Sequence, residues 1–240
     1  MTTLHVLSAG AAKGIVSALA RPFELARGVE VRGTFGAVGA MREALLGGAP
    51  CDVVVLTQAM LNSLAAEGHV VRDTIRSLGV VATGVAVRAG DAVVDVRDEG
   101  ALRDALSQAT SIHFPDPALA TAGIHFAKVV RELGIHDALA SRLRAHPNGA
   151  TAMAALANAG DARPIGCTQI SEILYTRGVT LAGPLPKRFE LATRYDAAVA
   201  SRAGSPSVAE AFVTSISGAS ARTLRADGGF EEGSDANRVA

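Results

Sequence analysis

Alternating strands and helices predict an α/β protein built on a parallel sheet. Three observations carry that expectation. Short apolar runs of strand length recur along the first part of the chain, each followed by a stretch of helical spacing. One of them, Cys51–Leu56, is continuously apolar, as befits a strand covered on both faces. Apolar residues make up 49% of the 240 and charged residues 19%, enough to fill the core of one large domain or of two lobes.

The elements follow in order. Leu4–Leu7 reads as a strand and Ala11–Arg27 as a helix, with Ile15, Leu19 and Phe23 near helical spacing and Gly28 as its stop. Val29–Phe35 is a strand, Val38–Leu46 a helix, Cys51–Leu56 a strand, and Gln58–Glu67 a helix ended by Gly68. This repetition implies right-handed crossovers. A second unit starts at the strand Val80–Arg88. Glu99–Gln108 is a helix and Ser111–Phe114 a strand, and Pro115-Asp116-Pro117 turns into a helix reaching about Glu132. Ala150–Ala159 is a helix, Pro164–Cys167 a strand and Ser171–Tyr175 a short helix. Val179–Leu181 and Leu191–Val199 are strands, and Ser205–Ser217 is a helix with Pro206 at its start. From Asp227 on, the Gly-, Glu- and Asp-rich sequence predicts a frayed tail.

Charge narrows the partners. Lys+Arg and Asp+Glu both number 23, so the net charge is zero, which argues against nucleic acid as the main partner. Trp is absent and aromatics are 4%, which disfavours stacking platforms for bases or sugars. Cys51 and Cys167 both sit in apolar, strand-like runs and read as buried thiols, with no spacing for zinc or a disulfide framework. No metal and no cofactor is expected. The apolar run Leu78–Val87 is too short to span a bilayer. Met1-Thr2-Thr3 has no basic segment, and Lys13 interrupts the apolar stretch behind it, so a cytoplasmic location is expected, or a periplasmic one if a signal peptide has been removed.

The chemistry concentrates at the first corner. Leu4-His5-Val6-Leu7 runs into Ser8-Ala9-Gly10-Ala11-Ala12-Lys13, a strand followed by a small-residue turn and a helix. Helix-start N–H groups left unpaired there favour an anion. Gly36–Gly39, Ala120–Gly123 and Asn148–Thr151 are corners of the same kind. At each, the small residues either open a ligand site or merely allow close helix–strand packing.

The order of these motifs resembles the type II periplasmic binding-protein fold, and within it the molybdate-binding-protein-like family. The resemblance runs from about Leu4 to about Ser217. It rests on Val6-Leu7-Ser8-Ala9-Gly10-Ala11, Thr34-Phe35-Gly36-Ala37-Val38-Gly39, Gly47-Gly48-Ala49-Pro50-Cys51-Asp52-Val53-Val54-Val55 and Pro164-Ile165-Gly166-Cys167-Thr168-Gln169-Ile170-Ser171-Glu172. It implies a two-lobed (Venus-flytrap) architecture with a ligand cleft between the lobes. Residues 1–84 with 196–226 form the first lobe, 85–195 the second, and 227–240 a flexible tail. Helix starts from both lobes then point at a small anion, drawn from Ser8, Gly10, Ala11, Ala37, Val38, Gly39, Asp116, Thr121, Gly149, Gln169 and Ser171.

The departures bear on the ligand. Molybdate binders place serine hydroxyls at the first two corners and a tyrosine on the second lobe. Here those positions fall on Ala11, on the hydroxyl-free Gly36-Ala37-Val38-Gly39, and on Gln169. A tetrahedral oxyanion would lose several side-chain donors, each contributing about 1 kcal/mol or more. The Ser8-Ala9-Gly10 start with Lys13, the Gln169-x-Ser171-Glu172 turn and Gly183-Pro184-Leu185-Pro186 are more similar to the aconitate isomerase branch.

An isomerase of an unsaturated acid needs donors for an enolate-like charge and a base near the moving proton. Lys13 reads as a carboxylate partner or base, or as a solvated surface lysine. His125 reads as a proton carrier, or as a packed or surface histidine. Asp116 reads as a turn cap or base, Glu172 as a residue that orients Gln169 or caps the short helix, and His113 as packed. Two functions follow: a proton-transfer isomerase of an unsaturated di- or tricarboxylate, with Lys13 and His125 as its catalytic candidates, or a non-catalytic receptor or sensor for a small oxyanion. Both take a small anionic ligand. Only the receptor implies an ABC transporter as partner.

Overall fold

The computed structural model describes residues 2–232. Its strands are β1 (Thr3–Ala9), β2 (Glu30–Gly36), β3 (Val53–Thr57), β4 (Arg76–Arg88), β5 (Ser111–Pro115), β6 (Leu143–His146), β7 (Pro164–Gln169), β8 (Val179–Pro184) and β9 (Ala192–Val199). Its helices are α1 (Lys13–Arg27), α2 (Val38–Leu46), α3 (Gln58–Ala66), α4 (Glu99–Gln108), α5 (Thr121–Glu132), α6 (His136–Leu139), α7 (Gly149–Ala157), α8 (Ile170–Tyr175), α9 (Pro206–Ser217) and α10 (Arg222–Asp227). A 3₁₀ turn over Gly10–Ala12 joins β1 to α1. Gly28 closes α1 at φ 64°, a left-handed conformation open to glycine at no steric cost.

The strands lie in the order β2-β1-β3-β9-β4-β7-β5-β6, with β8 also on β4. β1 runs parallel to β2 and β3, and β5 runs parallel to β6 and β7. The parallel pairing expected from the strand–helix alternation is present within each half, and antiparallel strands join the halves. β9 is antiparallel to β3 and β4, and β4 is antiparallel to β7 and β8. The reason is connectivity: a chain that leaves one half on β4 and returns on β9 must run the two strands in opposite directions.

β4 serves both halves. Its Arg76–Ala82 stretch pairs with β9, and Thr83–Val87 pairs with β7. The crossing is tied by the Thr83 N–H to the Leu191 carbonyl at 2.9 Å. Each half has its own core. In the first, Val53, Leu56 and Leu61 are fully buried, and Phe23 meets Phe212 edge-on at 5.0 Å. In the second, Leu102, Ile112, Phe126 and Cys167 are fully buried. Burying each large apolar side chain stabilises the half that holds it by about 1.5–3 kcal/mol. The molecule is a two-lobed α/β protein.

Two sequence features acquire structural roles. Asp52, from the Gly-Ala-Pro-x-Asp segment, accepts the His5 N–H at 2.7 Å and the Gly204 N–H at 2.8 Å, fastening β1 to the loop after β9. The segment expected to fray from Asp227 is packed at its start. Phe230 is buried against Tyr195, and Glu231 bridges to Val80. The rest of that tail, 233–240, lies outside the described residues. Among the described residues no helix is long and apolar enough to cross a membrane.

Candidate functional site

The ends of β1, β2, β5 and β7 converge where the lobes meet. The first lobe contributes Gly10, Ala11, Ala37 and Val38; the second contributes Thr121, Asn148, Gly149, Gln169 and Glu172; Tyr195 lies at the junction. The space between them is about 20 Å³, room for little more than one water. The lobes are closed: the Gly39 N–H of α2 donates to the Leu119 carbonyl of the second lobe at 3.1 Å. A larger cavity, about 710 Å³, lies between Val93–Asp95, α4 and Ala162–Pro164, away from the converging helix starts.

The helix starts differ in how their N–H groups are satisfied. α3 and α4 are capped by the Thr57 and Asp98 side chains. α2 and α5, which open onto the cleft, have no side-chain cap, and neither does the Gly10–Ala12 turn. Their first residues line the space between the lobes, and of these donors the Gly39 N–H is taken by the Leu119 carbonyl. α7 carries a capping box: Asn148 accepts the Thr151 N–H at 2.9 Å and Thr151 Oγ1 accepts the Asn148 N–H at 3.2 Å. This box leaves the first N–H groups of α7 to the cleft.

Glu172 fills that position. It is 5% exposed, and its carboxylate accepts the Thr168 hydroxyl at 2.5 Å and faces the Ala150 and Gln169 backbone N–H groups. A Cβ added to Gly10 would collide with Oε1, and one added to Gly149 would collide with Oε2 and with Thr168 Oγ1. The carboxylate therefore lies between the two jaws. Burial pushes its pKa up to about 7, against the hydrogen bonds, which favour the charged form. At Gly123, by contrast, a Cβ would meet the Pro115 and Asp116 backbone, so this glycine serves close packing.

Of the residues singled out from the sequence, Gly10, Ala11, Ala37, Val38, Thr121, Gly149 and Gln169 come together at the cleft. Gln169 is 2% exposed, its amide nitrogen reaches Thr193 Oγ1 at 3.4 Å, and its Oε1 has no partner. The others lie elsewhere. The Lys13 ammonium sits over the Phe35 and Tyr175 rings, 5.8 and 5.7 Å from their centroids. His125 Nε2 bonds to the Phe189 carbonyl at 2.7 Å, within the second lobe. Asp116 accepts the Ala118 and Leu119 N–H groups, shaping the turn that carries Leu119 to Gly39. The Ser8 hydroxyl bonds to the Ala9 carbonyl at 2.9 Å, and Ser171 Oγ is buried without a partner. His113 is packed between Ser111 and His146. Sequence reasoning gave Glu172 a supporting role and passed over Tyr195. The signal available was an acid three residues beyond Gln169 in an apolar setting.

This geometry accords with comparison to known proteins. A family model described as bacterial extracellular solute-binding protein matches residues 4–231. An aconitate isomerase from Pseudomonas sp is 27% identical over 239 residues, covering 96% of this chain and 88% of that protein. The periplasmic molybdate-binding protein of Azotobacter vinelandii superposes with a TM-score of 0.80 at 20% identity, covering 96% of this chain and all of that one, 100%. The sulfate-binding protein SubI of Mycobacterium tuberculosis gives 0.75 at 18%, covering 97% and 87%. The solved structures establish the type II periplasmic-binding fold expected from the motifs. With a match spanning nearly its whole length, the chain belongs to the bacterial extracellular solute-binding protein family.

Proposed function

We propose that this protein binds a small di- or tricarboxylate between its lobes and moves a proton along it, as an isomerase of an unsaturated acid. Glu172 carries the reading: a buried carboxyl with a pKa of about 7, set between the uncapped Gly10–Ala12 turn of the first lobe and the start of α7 in the second. A proton carrier works best when its pKa lies near the working pH. The Glu172 carboxylate takes a proton from the methylene beside a substrate carboxylate. The electron pair shifts through the double bond toward the far carbon and the carboxylate conjugated with it, where backbone N–H groups at Ala11, Val38 and Gly149 hold the charge. The Glu172 carboxyl then returns the proton to the far carbon of the allyl unit, so no net proton is consumed. Similarity to the Pseudomonas aconitate isomerase makes aconitate the first substrate to try. The cavity of about 20 Å³ requires the lobes to part for entry.

The receptor reading is supported by the uncapped backbone donors and by the fold shared with molybdate- and sulfate-binding proteins. It would place the protein outside the cytoplasm beside an ABC transporter, whereas the isomerase needs no protein partner. Proton NMR of purified protein with cis- or trans-aconitate separates the two. Interconversion is expected. Tight binding of one anion by calorimetry, without turnover across a panel of unsaturated acids, would overturn the isomerase in favour of the receptor.

A further inference from the structure

The Glu172 carboxylate holds the place an external anion would take. Its oxygens lie against Gly10 on one side and Gly149 on the other, and it uses the Thr168 hydroxyl and the Ala150 N–H at the start of α7. A residue lining the same space carries a second unsatisfied polar atom: Gln169 Oε1, on a side chain 2% exposed, has no partner. We propose that Glu172 is an internal anion of the cleft, and that an external carboxylate enters only as Glu172 takes up a proton. This rests on the carboxylate-binding reading above and adds its coupling to pH.

The physical reason is repulsion. Two carboxylates sharing one desolvated site cannot both stay ionised, so one keeps a proton. Once protonated, Glu172 donates to the entering anion, and when that shared proton passes to the substrate carboxylate Glu172 is again the carboxylate that takes the methylene proton. Little else nearby supplies compensating charge. Tyr175 on α8 and Tyr195 on β9 are held neutral by burial. Lys13 on α1 stacks on the Phe35 and Tyr175 rings. The Gly10–Ala12 turn, α7, β7 and β8 carry no charged side chain, and Arg88 of β4 is tied to Asp91.

Two measurements test this. In the free protein, carbon-13 NMR of labelled glutamate, assigned by the signal lost in Glu172→Gln, should show Glu172 titrating near 7. Titration in the ordinary range near 4.5 would overturn the proposal. Calorimetry with cis-aconitate, and separately with sulfate, is run at about pH 6 and about pH 8 in buffers of different ionisation enthalpy. Wild type should take up about one proton per anion at the higher pH and lose affinity about tenfold per pH unit above 7. Glu172→Gln should bind with neither effect, and Thr168→Val should shift the dependence to higher pH. Equal proton uptake by wild type and Glu172→Gln overturns the proposal. Failure of both anions to bind any of these proteins sinks the carboxylate-binding reading instead, and the NMR titration then decides alone whether Glu172 is the proton-holding internal anion.

Discussion

The two jaws of the cleft are built from different materials. The first lobe brings Gly10, Ala11, Ala37 and Val38, which offer backbone N–H groups and no titratable side chain. The second brings Thr121, Asn148, Gln169 and Glu172, with hydroxyl, amide and carboxyl groups. The contrast separates holding an anion from doing chemistry on it. In the proposed isomerase, the first jaw would stabilise charge where it develops and the second would give or take the proton.

The strongest way to break this contrast is to remove the proton carrier. Glu172→Gln should lower aconitate turnover by about 10²–10⁴-fold while leaving the first-lobe donors in place; a steady-state assay reads it. A stability experiment comes next. Glu172 has a reference pKa of 4.5 and about 7 in the fold, so between these values the folded form holds a proton the unfolded chain has released. Its contribution is fully present below 4.5 and lost as pH rises through 7, for a total of about 3 kcal/mol at most. Urea unfolding across that range should show the decline in wild type and not in Glu172→Gln.

Smaller effects sharpen the comparison. Gly149→Ala forces a Cβ into the Glu172 carboxylate and Thr168, and should cost about 1–3 kcal/mol of stability by overpacking, read from the denaturation midpoint. Lys13→Ala should cost about 0.5–1 kcal/mol of stability from its ring contacts and leave turnover within a few-fold of wild type. A collapse of activity there would move the proton chemistry toward the first lobe and erase the contrast.

Much of the scaffold was legible from residue order. Val38–Leu46 and Glu99–Gln108 form helices with those bounds because their apolar spacing and flanking residues agree. β6 escaped notice because it is a four-residue edge strand, Leu143–His146, too short for its alternation to stand out and with no fully buried residue. Strand direction escaped too, because period and composition are the same whichever way a strand runs. The corner at Gly10 was readable as an anion site, since strand, small residues and helix follow one another locally. Glu172 was harder. Its raised pKa comes from burial, against the Thr168 hydrogen bond, and the Gly10 and Gly149 that pack on the carboxylate lie far away in sequence. Lys13 and His125 show the converse: each lies beside a cleft corner in sequence, and its side chain meets the Phe35 and Tyr175 rings or the Phe189 carbonyl, contacts that local spacing alone could not show.

The most direct test is solvent exchange. Incubated with cis-aconitate in deuterium oxide, the wild-type protein should place deuterium on the substrate carbons of the allyl unit, and Glu172→Gln should not. Absence of label with wild type, or equal labelling by both proteins, would contradict a proton carried by Glu172.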